Sequence, residues 1–163
     1  MADVVVIGSF NVDHVWSLPA LPRPGETRSG EYRTGPGGKG FNQATAAARG
    51  GAATAFICSL GADAGGHLAR TLAGADGIDL RDAGSAAPTG TAGIYVDRQG
   101  RNSIVIGPGA NATLTRGHID AQQDAFVGAK VVLAQLESPA DAVLAGFQAA
   151  RQAGALTVLN PAP

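Results

Sequence analysis

Four short apolar runs constrain this chain more than anything else in it. "DVVVIG" (Asp3–Gly8), "TAFICSL" (Thr54–Leu60), "KVVLAQL" (Lys130–Leu136) and "ALTVLN" (Ala155–Asn160) are continuous rather than alternating. That is the pattern of strands buried on both faces of a parallel sheet. Helix candidates lie between them at Gly40–Arg49, Ala64–Leu72, Arg116–Phe126 and Pro139–Ala153. The last opens with "SPAD", which reads as Ser138 at the N-cap, Pro139 at the first helical position and Asp141 near the positive end of the helix. Strand and helix alternate, so the expected fold class is α/β, a doubly wound and mostly parallel sheet with helices on both faces.

Two segments break this alternation. "HVWSLPALPRPGETRSGEYR" (His14–Arg33) holds three prolines among short strand-like pieces. "TAGIYVDRQGRNSIVI" (Thr91–Ile106) reads as a hairpin turning at "DRQGRN". Both are expected to be antiparallel strands appended to the main sheet, forming a small β-sheet lid over about 14–34 and 91–107. Residues 1–163 are otherwise read as part of one domain.

Composition bounds the function. With 12 basic and 13 acidic residues the net charge is -1, which leaves no electrostatic footprint for nucleic acid or an anionic membrane. No stretch approaches the roughly 20 apolar residues of a membrane span. The opening "MAD" lacks the basic region of a signal peptide, so the expected location is cytoplasmic. The single cysteine, Cys58, is expected to be a buried, inert thiol. His14, His67 and His118 have no metal-ligand spacing, and no metal site is assigned. Glu26 and Arg28 read as solvated lid residues.

The densest glycine stretch is "RTGPGGKGFNQATAAARGG", Arg33–Gly51. Gly35, Gly37 and Gly40 satisfy G-x-G-x-x-G, but the dinucleotide fingerprint must follow directly on the first strand. Here some twenty-five residues intervene, and Asp63 is only a loose match to the required ribose-binding acid. A phosphate-binding P-loop needs Ser or Thr after Gly-Lys, whereas Lys39 is followed by Gly40.

A helix N-terminus serving a polar ligand survives this test. Gly37 and Gly38 allow close backbone approach, first-turn N–H groups are free in principle, and Asn42 and Gln43 follow. "GSFNVDH" sets Asn11 and Asp13 just past the carboxyl end of the first strand, where open α/β sheets bind ligands. A carboxylate accepts from hydroxyls and an asparagine both accepts and donates, which suits a polyhydroxylated ligand. The plainer reading stays open at this point: Asn11 and Asp13 cap a turn, and Asn42 caps the helix. Lys39 likewise reads either as charge stabilisation or as an outward, solvated side chain.

"GSFNVDH", "PRPGE", "GGKGFNQA", "GPGAN", "QLESP" and "LNPAP" together resemble the ribokinase-like (PfkB-type) sugar kinases in order and near spacing, most closely the ribokinase branch. The resemblance runs from Val4 to Pro163. It implies an ATP-dependent phosphotransferase acting on the 5-hydroxyl of a pentose such as D-ribose, with Mg²⁺ and a monovalent cation such as K⁺. It implies that Asn11, Asp13, Gly38, Lys39, Gly40, Asn42 and Glu137 bind substrate, the Gly38–Asn42 loop through its backbone amides. It implies that Ala92, Ile94 and Ile106 form the lid wall, and that the lid doubles as a homodimer interface. The family's catalytic aspartate belongs to a later Gly-Ala-Gly-Asp motif, so no catalytic base is assigned here, and the nucleotide half is expected beyond Pro163. "LGADAGGHLAR" is a decoy for that motif, in which Asp63 caps the following helix.

Two departures from the ribokinase pattern bear on substrate. Phe41 stands where a small residue is usual, and it either packs inward or faces the pocket to favour another sugar or a nucleoside. Pro108 in "GPGAN" also differs. Two other classes remain: a non-catalytic sugar-binding module, and a dinucleotide-binding oxidoreductase domain, which lid strands before the glycine loop would exclude.

Overall fold

The computed structural model describes all of residues 1–163. Five strands form a parallel sheet: β1 (Val4–Ile7), β4 (Thr54–Cys58), β5 (Asp79–Asp82), β8 (Val131–Gln135) and β9 (Leu156–Asn160), in the order β5-β4-β1-β8-β9. One of the four apolar runs, β9, lies at the sheet edge with Leu156, Val158 and Leu159 exposed. The other three, β4, β1 and β8, take the central places, as strands covered on both faces do. β1 shows it residue by residue. Val5 and Ile7 join a core with Ile119, Phe126 and α5 (Ala140–Gln152), while Val6 joins the opposite core with Phe41, Phe56 and α2 (Ala64–Ala75). The sheet is therefore wound on both sides, as expected.

β5 is a strand that the apolar pattern does not announce. Its sequence is "DLRD", with one aliphatic residue among charges. It lies at the sheet edge beside β4, where charged side chains discourage pairing with a second chain. Arg81 is held by Asp79 and Asp124, and this pairing raises the guanidinium pKa above its ordinary value.

The expected long helix over Arg116–Phe126 is two short ones, α3 (Arg116–Asp120) and α4 (Gln123–Phe126). Gln122, at φ -111° and ψ 28°, leaves helical geometry between them and takes Arg81 Nη1 on its side chain. α5 also starts one residue later than "SPAD" suggested. Pro139 has extended ψ, 133°, and occupies the cap position, and its carbonyl accepts from Ala142 and Val143. Ser138 is thereby moved away from the first-turn amides, and its buried hydroxyl has no partner.

The lid is a separate sheet in the order β3-β2-β6-β7, from β2 (Asn11–Leu18), β3 (Glu31–Gly37), β6 (Gly90–Asp97) and β7 (Asn102–Gly107). The β6–β7 hairpin is present, and β2–β3 is antiparallel, but β2 runs parallel to β6 over its full length. The lid is thus mixed rather than antiparallel. The two hairpins are laid side by side, because each leaves from and returns to the main sheet separately. β2 also begins at Asn11, so Asn11 and Asp13 stand on a lid strand, two residues apart and on one face.

The lid root is fixed by Asp63. Its carboxylate accepts from Gly66 N at 2.9 Å, capping α2, and from Thr89 N and Oγ1 at 2.8 and 2.6 Å, immediately before β6. The bonds from Thr89 first, then from Gly66, lower its pKa to about 2. The expectation of a helix cap is met, and the same group also anchors the lid.

Candidate active site

The lid meets the carboxyl end of β1 at a cavity of about 150 Å³. Asn11, Asp13, Gly38, Lys39, Asn42 and Glu137 form its polar side, and Ala92, Ile94 and Ile106 form its apolar side. Every residue expected to bind substrate or line the lid is there except Gly40, and Ile104 joins them. Period-2 alternation in "NSIVI" places Ile104 and Ile106 on one face, opposite Ile94 and Ala92. A larger cavity, about 490 Å³, opens at the other end of the main sheet beside Met1, Asp79 and Arg81. Its arginine is already paired with two carboxylates, and it lies away from the carboxyl ends where α/β sheets place their ligands.

The glycines have distinct steric duties. Gly37 pairs with Asn11 across β2–β3, and a Cβ on it would overlap the Asp13 carboxylate. Gly38 adopts φ 89°, a left-handed conformation that favours glycine, and a Cβ there would sit 2.7 Å from Ser9 O. Gly40 is buried away from the cavity, and its Cβ would meet Ser9 N at 2.6 Å and Gly8 Cα at 2.7 Å. It lets α1 (Lys39–Arg49) start directly against the β1–β2 turn.

The helix N-terminus does not leave its first amides free for a polar ligand as the loop suggested. Lys39 N donates to Glu137 Oε2 at 3.0 Å, and Phe41 N donates to Ser9 O at 2.9 Å. Ser9 Oγ donates to the same Glu137 oxygen at 2.5 Å, and Lys39 Nζ reaches Oε1 at 2.7 Å. The positive end of α1 demands an acceptor, and Glu137, delivered by the end of β8, supplies it from within the protein. Lys39 is therefore paired rather than free, although a third of its side chain stays exposed to solvent. Ser9, fully buried, is a site residue that sequence reading passed over, although it stands in "GSFNVDH".

The two carboxylates differ. Burial would raise the Glu137 pKa, but hydrogen bonds from Lys39 and Ser9 outweigh burial and hold it below the ordinary range. Asp13 has no such donors; burial first, then the charge of Glu137, pushes it up. Asp13 is thus the unsatisfied acceptor of the cavity, while Glu137 is committed to shaping it. Phe41 points inward, 3% exposed, with its ring 5.0 Å from Phe10 at 82° and 6.0 Å from Phe56. It does not enter the cavity. β2 and β3 lie between β1 and the glycine loop, which excludes the dinucleotide arrangement.

The sequence profile of the pfkB family carbohydrate kinases matches residues 1–163, the whole chain. The chain belongs to that family. Among this chain's relatives, the ribokinase of Haemophilus influenzae is 40% identical over 163 residues, covering 98% of this chain and 53% of its own length. The structure of the Giardia lamblia ribokinase superposes with a TM-score of 0.90 at 36% identity, covering 99% of this chain and 51% of that one. The Arabidopsis thaliana ribokinase solved with ribose and ATP gives a TM-score of 0.82 at 33% identity, covering 97% and 53%. The chain spans about half the length of each.

Proposed function

We propose that this chain supplies the sugar-binding and lid portion of a kinase that transfers the γ-phosphoryl group of ATP to the 5-hydroxyl of D-ribose or a similar pentose. The observation that carries this reading is the unsatisfied Asp13 carboxylate beside Asn11 and Asn42, facing an aliphatic lid wall. A pentose presents hydroxyl edges and C–H faces, and this cavity offers acceptor and donor groups on one side and isoleucines on the other. Asp13 accepts from sugar hydroxyls; Asn11 and Asn42 complete the polar edge. Ala92, Ile94, Ile104 and Ile106 cover the ring and exclude water. Glu137 and Lys39 hold the loop in place. Support also comes from the relatives, ribokinases over the matched region, one of them solved with ribose and ATP.

The residues present do not fit a triphosphate: the cavity's single cation, Lys39, is taken by Glu137. In this proposal ATP, Mg²⁺ and a monovalent cation belong to the portion of the relatives that lies beyond the matched half, with the catalytic base. Phosphoryl transfer depends on positioning and charge stabilisation, and the contribution of this portion is positioning. The lid's exposed Val105, on the face turned away from the cavity, suits the homodimer contact proposed for it. No helix is long and apolar enough to cross a membrane, and the kinase is proposed to work in the cytoplasm.

Calorimetric titration with D-ribose, D-fructose and adenosine tests the reading. Ribose binding that Asp13→Ala abolishes is the expected result. Binding of adenosine alone would replace the pentose with a nucleoside.

A further inference from the structure

Asn111 lies on the 3₁₀ turn Gly109–Thr113, 100 residues from Asn11 in sequence and 2% exposed. Its Oδ1 accepts from Phe10 N at 2.9 Å. Its Nδ2 donates to Phe10 O at 3.0 Å and to Asn11 Oδ1 at 2.8 Å. A backbone N–H can only donate and a backbone carbonyl can only accept, so Phe10 dictates which end of the Asn111 amide is which. A flipped amide would set donor against donor and acceptor against acceptor in a buried place. Asn111 then dictates Asn11 in the same way. The Asn11 oxygen is occupied, and its Nδ2 is left for the cavity. Space for this relay is provided by Gly90, the first residue of β6: a Cβ there would overlap both Asn111 Nδ2 and Asn11 Oδ1.

We infer that Asn111 is a positioning residue that locks Asn11 as a hydrogen-bond donor toward the ligand, opposite Asp13, which as a carboxylate is an acceptor only. The inference rests on the sugar-site reading above. Together the pair reads polarity: it takes neighbouring hydroxyls of which one donates to Asp13 and one accepts from Asn11. A group that can only accept fails at Asp13, and a group that can only donate fails at Asn11. Hydroxyl is the substituent that satisfies either side.

Two measurements test this. In the ligand-free protein, side-chain amide exchange by NMR should show both Asn111 amide protons protected and those of Asn11 exchanging rapidly. Protection of Asn11 instead would overturn the inference. In the full-length protein, Asn11→Ala, Asn111→Ala, Gly90→Ala and the Asn11→Ala/Asn111→Ala double variant are compared for D-ribose. Each single change is expected to raise KM by about tenfold, with kcat altered by less than about threefold, the loss of one well-aimed hydrogen bond. The double variant should be no worse than Asn11→Ala alone, because Asn111 acts through Asn11. Gly90→Ala should behave like Asn111→Ala although Asn111 itself is intact. Additive losses in a protein whose wild type uses ribose would overturn the positioning role alone. A wild type that takes no sugar would overturn the functional reading and this inference with it.

Discussion

Glu137 and Lys39 are joined twice across 98 residues of chain, carboxylate to backbone amide at 3.0 Å and carboxylate to ammonium at 2.7 Å. The contact clamps the end of β8 to the start of α1, so the loop that lines the cavity is held from the main sheet. Glu137→Ala leaves a helix-terminal amide and an ammonium without their acceptor. It is expected to destabilise the protein by about 2–3 kcal/mol in chemical denaturation.

The same clamp gives a pH signature. The folded-state pKa of Glu137 lies below its ordinary value of 4.5. Its contribution is therefore present above that value and is lost as pH falls through the lower folded value. Thermal melts between pH 5 and 3 should show a decline that Glu137→Gln flattens.

Asp13 runs the other way. Its pKa is raised above 3.8, so protonation favours the folded state and its stability contribution falls as pH rises through the folded value. Sugar binding needs the carboxylate, and it should weaken as pH falls through that same raised value. Calorimetry with ribose over pH 7 to 4 reads this directly. Asp13→Asn should bind at least tenfold more weakly and lose the dependence.

Asp63 joins the α2 cap to the lid root, and Asp63→Ala removes three acceptor contacts. The expected cost is about 2 kcal/mol. Its pKa of about 2 against 3.8 means that this contribution is present above about 4 and lost as pH falls toward 2. Hydrogen exchange should report faster opening of β6 than of β1 in this variant.

Phe41 is a core residue by position. Phe41→Ala should cost about 3–5 kcal/mol. Phe41→Leu should leave the preference for ribose over adenosine unchanged in binding assays. A shift toward or away from adenosine would place the ring in the cavity.

The main sheet was legible because strands covered on both faces must be continuously apolar, as β4, β1 and β8 are, and β9 carries the same pattern although it lies exposed at the edge. β5 was not, because an edge strand is free to carry Asp79, Arg81 and Asp82. The site's members were legible through motif resemblance and through the position of "GSFNVDH" after β1. What their side chains do to one another was not. Whether the α1 amides face a ligand or Glu137 depends on a carboxylate 98 residues away. The orientation of Asn11 depends on Asn111, 100 residues away. The parallel pairing of β2 with β6 is likewise a long-range fact that alternation within each hairpin cannot reveal.

The most direct test of the central claim is product analysis by ³¹P NMR with the full-length protein, ATP and D-ribose. The expected product is a phosphomonoester on the ribose 5-hydroxyl, with a loss of kcat/KM of at least about a hundredfold in Asp13→Ala. No phosphorylated pentose, or a rate that Asp13→Ala leaves untouched, would contradict it.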